Sequence, residues 1–332
     1  RRQGSRDDHD RALRRMTDAL AHRGPDDRGF WCDAEAGVWL GHRRLSIVDL
    51  SPAGHQPMVS QCGRYVIAYN GEIFSHQEMR AELQAAGCSF RGHSDTEVML
   101  EAISRRGLDA TLPRLIGMFA IALWDRAEKT LTLVRDRVGI KPLYWLDAGG
   151  LFLFGSELKA LREHPGWTPE IDRDAVGAFM RHNYVPAPFS IYRGVRKLEA
   201  GCYVVLAQGR APRHVRYWDL REVARARQRR PVDDAQAVDA MEALLRDAVK
   251  RRMVADVPLG ALLSGGIDSS LVTALMQTQS ARPVRTFSIG FSETGYDEAP
   301  FARAIAQHLG TDHTELYVEP SHALQISPRL SE

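Results

Sequence analysis

Ser264-Gly265-Gly266-Ile267-Asp268-Ser269-Ser270 stands directly behind an apolar run, Leu259–Leu263, and ahead of a helical pattern. Adjacent glycines let backbone N–H groups turn toward one point, and the N-terminus of the helix adds partial positive charge. Serine hydroxyls add neutral donors. Together these make an anion cradle suited to pyrophosphate. It is not a Walker A loop, because Gly-x-x-x-x-Gly-Lys followed by Ser or Thr occurs nowhere in the chain. The missing lysine suits a loop that holds a leaving pyrophosphate while the α-phosphorus is attacked. An aspartate in such a site repels phosphate unless a cation bridges the two, so Asp268 implies Mg2+. The plainer reading is a glycine-rich turn capped by Ser and Asp. The full pattern at the carboxyl end of a buried strand favours a loop that handles the pyrophosphate of ATP.

A second set of residues is scattered through the first half: His22–Asp26, Arg43–Asp49, Asn70–Ile73 and Ser94–Glu97. A small zwitterion such as an amino acid needs both signs around it. Arg44 suits its carboxylate, bidentately, and Asp95 suits its ammonium. The Asn70 side chain with the Gly71 N–H suits an oxyanion. Each has a dull reading alone: Asn-Gly is usually a hairpin turn, Asp95 a helix-start charge, Arg44 a surface arginine.

These residues need elements to hold them. The spacing of Leu13, Met16 and Leu20 predicts a helix over 8–22, stopped by Gly24-Pro25. Short apolar runs bounded by turn residues predict strands at 38–40, 45–48, 65–69, 118–124, 130–134, 143–146 and 151–154. Ser94-Asp95-Thr96-Glu97 reads as a capping box opening a second helix. Strands with few but long helices suggest α+β for this half. The texture changes after Trp218. Five arginines between 221 and 231 read as a solvated linker rather than an RNA-binding stripe, since no aromatics interleave them. Beyond it helices at 236–252, 269–278 and 298–309 alternate with strands at 259–263, 284–290 and 314–318, which predicts a parallel, doubly wound α/β sheet.

The whole chain has 332 residues, 44% of them apolar and 26% charged, which excludes bulk disorder and suits two domains. Net charge is +2, which disfavours a strongly cationic nucleic-acid protein. Charge-free runs are too short to span a bilayer. Cys32, Cys62, Cys88 and Cys202 match no zinc spacing and no Cys-x-x-Cys motif, so reduced thiols in the cytoplasm are expected.

Taken in order, the motifs resemble the glutamine-hydrolysing asparagine synthetase family in its bacterial form. Further residues carry the resemblance: Gly117–Ala120, Arg135-Asp136, Gly139–Tyr144, Ser156-Glu157, Asp256–Pro258 and Phe287–Phe291. It implies a class II glutamine amidotransferase domain over 1–220, with the N-terminal-nucleophile hydrolase fold, two stacked antiparallel sheets between helix layers. A linker at 221–232 and the N-terminal part of an ATP-pyrophosphatase synthetase domain over 233–332 would follow. By resemblance, glutamine is held at Arg44, Leu45, Ser46, Ile47 and Val48, at Asn70, Gly71 and Glu72, and at Asp95. Asn70 and Gly71 form the oxyanion hole. ATP contacts backbone at Leu263 and Ile289, with its phosphates at Ser264, Gly265, Gly266, Asp268, Ser269 and Ser270 and Mg2+ at Asp268. The implied partners are glutamine, aspartate and ATP, without nucleic acid or membrane, with a homodimer left open.

The resemblance also implies a nucleophilic cysteine at the mature N-terminus, its own α-amino group serving as base. Position 1 is Arg1, and Cys32 is a mid-chain thiol without a free amine beside it. Either the chain starts a short way into the domain or the protein naturally lacks the nucleophile, and a helix almost at once with no first strand favours the former. The resemblance also implies a synthetase domain that continues well past residue 332, so the chain is expected to be cut at both ends and inactive as it stands. Two other functions stay open here. A β-lactam-synthetase-like or peptide-cyclising enzyme forms an amide from an internal amine and has little reason to keep a glutamine pocket. A catalytically inactive glutamine- or nucleotide-binding module is the third.

Overall fold

Ser5 Oγ accepts a hydrogen bond from Asp8 N–H at 3.2 Å, and the Asp8 carboxylate accepts one from Ser5 N–H at 3.1 Å. This reciprocal box opens α1 (Arg6–Asp18). A short 3-10 turn at Ala21–Arg23 replaces the last turn of the helix expected over 8–22. The computed structural model describes residues 5–226, 233–292, 295 and 297–328. The chain divides between Gln228 and Arg229 into two units.

The strands of the first unit are β1 (Asp27–Asp33), β2 (Val38–Arg44), β3 (Met58–Val59), β4 (Tyr65–Ile73), β5 (Gly117–Asp125) and β6 (Thr130–Arg135). After them come β7 (Tyr144–Ala148), β8 (Leu151–Gly155), β9 (Val195–Lys197), β10 (Cys202–Ala207) and β11 (Arg213–Arg216). Its helices after α1 are α2 (His76–Ala85), α3 (Asp95–Arg106), α4 (Leu108–Thr111), α5 (Leu158–Arg162), α6 (Arg173–His182) and α7 (Leu220–Ala226). A six-stranded antiparallel sheet runs β11-β10-β6-β5-β4-β3, with smaller sheets β1-β2 and β8-β7-β9. Residues alternate across β4, so Ile67, Tyr69 and Ile73 join Phe119 and Ile121 against Met79, Leu83, Met99 and Ile103 of α2 and α3. The opposite face, with Val66, Trp124 and Leu133, packs on Leu40 of β2 and Trp145 of β7. Leu161 of α5 and Met16 of α1 cover the far side of the β7–β9 sheet. The layers run helix, sheet, sheet, helix, an α+β arrangement in which the second sheet layer is two pieces rather than one.

Three local expectations change. Residues 45–48 form a loop, not a strand. Ser94 Oγ accepts from Glu97 N–H at 3.3 Å, but Glu97 does not reach back. Its fully buried carboxylate instead accepts from Arg91 N–H at 2.9 Å and Gly92 N–H at 3.0 Å, holding the turn ahead of α3. Residues 221–226 of the expected linker belong to α7, and 227–232 lie outside the described residues.

The second unit contains α8 (Asp234–Arg252), β12 (Gly260–Leu262), α9 (Ile267–Thr278), β13 (Arg285–Phe291), α10 (Ala299–Leu309), β14 (Asp312–Val318) and α11 (Pro320–Ile326). Its sheet is parallel in the order β12-β13-β14, as the alternation predicts. It is not doubly wound among the described residues. Ala261 packs with Val249 of α8 and with Leu275 and Met276 of α9, while Leu263, two residues on and so on the same face, packs with Ala302 and Ala306 of α10. Leu262, Ile289 and Leu316 on the other face are 80%, 51% and 62% exposed. Chain-order strands joined by right-handed crossovers place successive helices on one side, which accounts for the asymmetry. No helix among the described residues is long and apolar enough to cross a membrane.

Candidate functional site

β3 begins at Met58, opposite Ile67, so beyond Ile67 one edge of β4 has no neighbouring strand. Side chains take its place. Tyr69 N–H donates to Gln56 Oε1 at 2.7 Å, and His42 Nε2–H donates to the Tyr69 carbonyl at 2.9 Å. Farther along the same edge, Ile73 N–H donates to Asp95 Oδ2 at 2.8 Å, and the Tyr69 hydroxyl donates to the same oxygen at 2.8 Å. Gln56 Nε2 donates to Thr96 Oγ1 at 3.3 Å, closing a ring of hydrogen bonds through residues 56, 69, 95 and 96. Burial, then the Asp95 carboxylate, raises the Tyr69 pKa well above its ordinary value, so its hydroxyl stays a donor. Burial pushes the His42 ring down to about 4, so it is neutral at pH 7.

Gly71 lies between the two anchored residues. Its β5 partner, Phe119, sends its N–H to Asp136 Oδ2 at 3.1 Å and accepts from Asp136 N–H at 2.9 Å. Gly71 and Phe119 are thus a non-hydrogen-bonded pair, and the Gly71 N–H points to the open edge alongside those of Tyr69 and Ile73. No side chain among the described residues accepts from it. The neighbouring Asn70 Nδ2 is buried and has no hydrogen-bond partner among the described residues. A Cβ at residue 71 would lie 2.1 Å from the Met118 carbonyl oxygen, so only glycine fits. Asn-Gly is therefore the interior of a strand, not a hairpin turn. Successive residues thus offer two amide donors, one buried without an acceptor and one on an unpaired edge, a combination able to serve an oxyanion.

Arg44 ends β2 and is buried. Its guanidinium donates to the carbonyls of Val48 and Ser51, each at 3.3 Å, and to that of Asp49. A Cβ at Gly54 would lie 1.9 Å from Arg44 Nη2, so the loop closes flat on the guanidinium. These bonds curl Leu45, Ser46, Ile47 and Val48 into a loop and explain why no strand forms there. They also occupy Nη2 with two carbonyls, so the bidentate grip expected of Arg44 is not what this arrangement presents. Ser46 N–H donates to Asp26 Oδ2 at 2.7 Å, tying the first two motifs together. Asp49 is fully buried at a positive φ of 61°. Burial alone would raise its carboxyl, but hydrogen bonds from Ser51 and from His93 N–H, the latter at 2.7 Å, outweigh it and hold the pKa below its ordinary value. Asp49 thereby links the 45–51 loop to the turn before α3.

The structure thus joins the 44–49 segment, the 70–72 segment and Asp95 in one network. On Asp95, Oδ2 is taken by protein donors, while Oδ1 carries only a long 3.5 Å contact from Thr96 and keeps capacity for a cation. Glu72 sits on β4 beside Gly71. Cys32 is elsewhere, on β1, lining a shallow cavity of about 440 Å³ with Arg6, Arg126 and Lys129 that contains none of the expected site residues. Sequence reasoning missed His42, Gln56 and Tyr69. Nothing in their spacing marks them, because each acts on a backbone group distant in sequence.

In the second unit, the loop from Ser264 to Ser270 is tied by its own hydroxyls. Ser264 and Ser269 hydroxyls are 2.9 Å apart, and Gly266 N–H donates to Ser264 Oγ at 3.3 Å. Gly265 has a φ of 79°, and a Cβ there would lie 2.7 Å from Phe301 Cβ. Gly266 is the N-cap of α9 without any side-chain cap, so Asp268 does not cap the helix and the first amides of α9 are left to an anion. Ser270 Oγ is buried without a partner among the described residues. Leu263 N–H donates to the Phe287 carbonyl at 2.8 Å, but the next rung, Ile289 N–H to Leu263 C=O, is not made. β12 and β13 part at the two backbone positions expected to meet ATP.

The first unit is a glutamine amidotransferase domain, followed in the chain by a second unit built on a parallel sheet. The chain belongs to the glutamine-hydrolysing asparagine synthetase family: the Glutamine amidotransferase domain family matches residues 2–218, and the Asparagine synthase family matches residues 240–332. A Mycobacterium tuberculosis (strain ATCC 25618 / H37Rv) protein with the provisional name asparagine synthetase (glutamine-hydrolyzing) is 37% identical, over 96% of this chain and 50% of its own length. The Bacillus subtilis (strain 168) asparagine synthetase (glutamine-hydrolyzing) 3 is 34% identical, over 90% of this chain and 50% of its own length. A Gibberella zeae protein named amidase chry2 is also 34% identical, over 90% of this chain and 46% of its own length. The chain spans about half the length of these curated relatives. A solved glutamine phosphoribosylpyrophosphate amidotransferase from B. subtilis overlaps at a TM-score of 0.40 and 18% identity, covering 87% of this chain and 56% of that one, too shallow a likeness to say anything of this chain.

Proposed function

We propose that the protein takes the amide nitrogen of glutamine and uses it, with ATP, to convert aspartate to asparagine. The observation that carries the glutamine step is the pair of donors at Asn70 and Gly71. As a thiolate adds to the glutamine side-chain carbonyl, its oxygen gains negative charge, and both donors strengthen their bonds to it. Loss of one such donor typically costs about 10²–10³ in rate. Asp95 Oδ1 takes the substrate ammonium, and Arg44 with its loop takes the carboxylate. The nucleophile is the N-terminal cysteine that the family resemblance implies. The tetrahedral adduct then collapses: the α-amino group returns its proton to the amide nitrogen, the C–N bond breaks, ammonia leaves and a glutamyl thioester remains, which water hydrolyses to glutamate and the free thiol.

In the second step the β-carboxylate of aspartate attacks the α-phosphorus of ATP, and pyrophosphate leaves into the Ser264–Ser270 cradle. Ammonia then attacks β-aspartyl-AMP, giving asparagine and AMP. Keeping water from the acyl-adenylate preserves it for ammonia. No cluster of three His, Cys, Asp or Glu side chains that could cage a metal ion exists among the described residues. Asp268 would hold Mg2+ together with phosphate oxygens, the usual mode for that ion, where the ion would offset phosphate charge. On this reading the partners are glutamine, aspartate and ATP in the cytoplasm, with no nucleic acid or membrane, and the low net charge agrees.

The test is isotope transfer. Full-length protein given amide-labelled glutamine, aspartate and ATP should yield labelled asparagine with equal AMP and pyrophosphate. Amide formation on another acceptor, or turnover that ignores glutamine, would overturn the reading.

A further inference from the structure

We propose that His42 and Gln56 are positioning residues that hold the Asn70–Gly71 donor pair in register, a role that rests on the glutamine-hydrolysing reading of the site. Both act on Tyr69, the residue just before the pair. Gln56 accepts from its N–H and His42 donates to its carbonyl, so the peptide on each side of Tyr69, the second of them leading into Asn70, is fixed from the open side of β4. Asp95 fixes Ile73 on the same edge, two residues beyond Gly71. The Gly71 N–H is therefore suspended between two clamped points on an edge that no strand supports. Without the clamps only the β5 side would hold it, and unpaired edges shift readily. Oxyanion donors cannot tolerate this, because about 1 Å of misplacement costs on the order of 10²-fold.

The geometry also sets which form of His42 does this. Nε2 faces a carbonyl oxygen, so it carries the proton, and Nδ1 is buried with no partner among the described residues. The charged or titratable neighbours are Arg44 on the same strand, Asp27 on β1 and His55 before β3, the last two bonded to each other at 2.7 Å. A neutral ring offers one donor in one direction. Neither His42 nor Gln56 reaches the donor atoms directly; both work through the backbone.

Glutaminase kinetics of the full-length protein test the idea. His42→Leu and, separately, Gln56→Met should lower kcat on the order of 10–100-fold while KM for glutamine moves less than about threefold, since the pair acts on the transition state. His42→Gln, whose amide can still donate toward Tyr69, should recover most of kcat. The proposal fails if the Leu and Met variants, assayed well below their melting temperatures, keep wild-type kcat, or if they change KM alone. It also fails if His42→Gln is as slow as His42→Leu. Asn70→Ala separates the two layers of the argument. If it leaves kcat unchanged, or the wild-type protein hydrolyses no glutamine, the reading of the site itself falls. If it slows turnover about 10²-fold while the clamps do nothing, only the positioning role falls.

Discussion

The two candidate sites are built by opposite means. The candidate nucleotide loop is one stretch of eight residues, 263–270, whose serine side chains mainly tie the turn to itself and leave backbone amides as its proposed phosphate donors. The candidate glutamine site draws on β2, the loop after it, Gln56, the open edge of β4, the turn before α3 and the start of α3. It uses side chains to replace a strand that is not there. A backbone cradle is local, so its chemistry is written contiguously. A side-chain scaffold is assembled by topology, so its parts are scattered and its struts bear no mark.

Asp268 breaks or sharpens that contrast most directly, as the one charged side chain of the cradle. Its side chain is exposed and makes no cap bond, so Asp268→Asn should cost less than about 1 kcal/mol of stability. Aspartate-dependent exchange of labelled pyrophosphate into ATP, measured in the full-length protein without glutamine, should fall about 10²–10³-fold. Exchange close to wild type in a folded Asp268→Asn protein would mean that backbone alone serves the phosphates and that the metal assignment is wrong.

Arg44 tests the other half of the contrast. Because its guanidinium is buried against three carbonyls, Arg44→Ala should damage the fold as well as the site. The expected costs are about 2–4 kcal/mol in kcat/KM for glutamine and about 1–3 kcal/mol in stability. Arg44→Lys should rescue little of either, since a point ammonium cannot span three acceptors. A wild-type urea midpoint for Arg44→Ala would show that the loop holds itself and that Arg44 is purely a substrate ligand.

What could be seen in advance follows the same division. Strands such as 118–124 were legible because β5 is buried on both faces and reads as an almost unbroken apolar run. The 45–48 segment misled for a related reason. Its Leu-Ser-Ile-Val composition suits a strand, but a long-range demand, three carbonyls turning in to satisfy Arg44, overrides local preference. Asn70, Gly71 and Asp95 were visible as motif residues. The clamps at His42 and Gln56 were not, because only the late start of β3, at Met58, creates the need for them. The missing half of the Ser94–Glu97 box belongs here too: Glu97 had better partners in Arg91 and Gly92 than the helix start could offer.

The smallest expected effect comes from the titration of one strut. His42 has its pKa lowered to about 4, chiefly by burial, against 6.5 for the free side chain. Between those values the unfolded chain binds a proton that the folded chain refuses, so stability is fully present above pH 6.5 and is lost as pH falls toward 4. Half-buried His164, also lowered by burial and then by the His9 charge, adds in the same direction. The depressed carboxyl of Asp49 starts from an ordinary value of 3.8 and so contributes mainly below this window. Denaturant melts at pH 7 and pH 5 should therefore differ by about 1–2 kcal/mol from His42 alone. His42→Gln, which cannot titrate, should remove that share and leave a flatter profile. If wild type and His42→Gln lose stability equally between pH 7 and 5, the imidazole is not shielded from protons as its burial requires, and the edge of β4 opens more easily than that of a fixed scaffold.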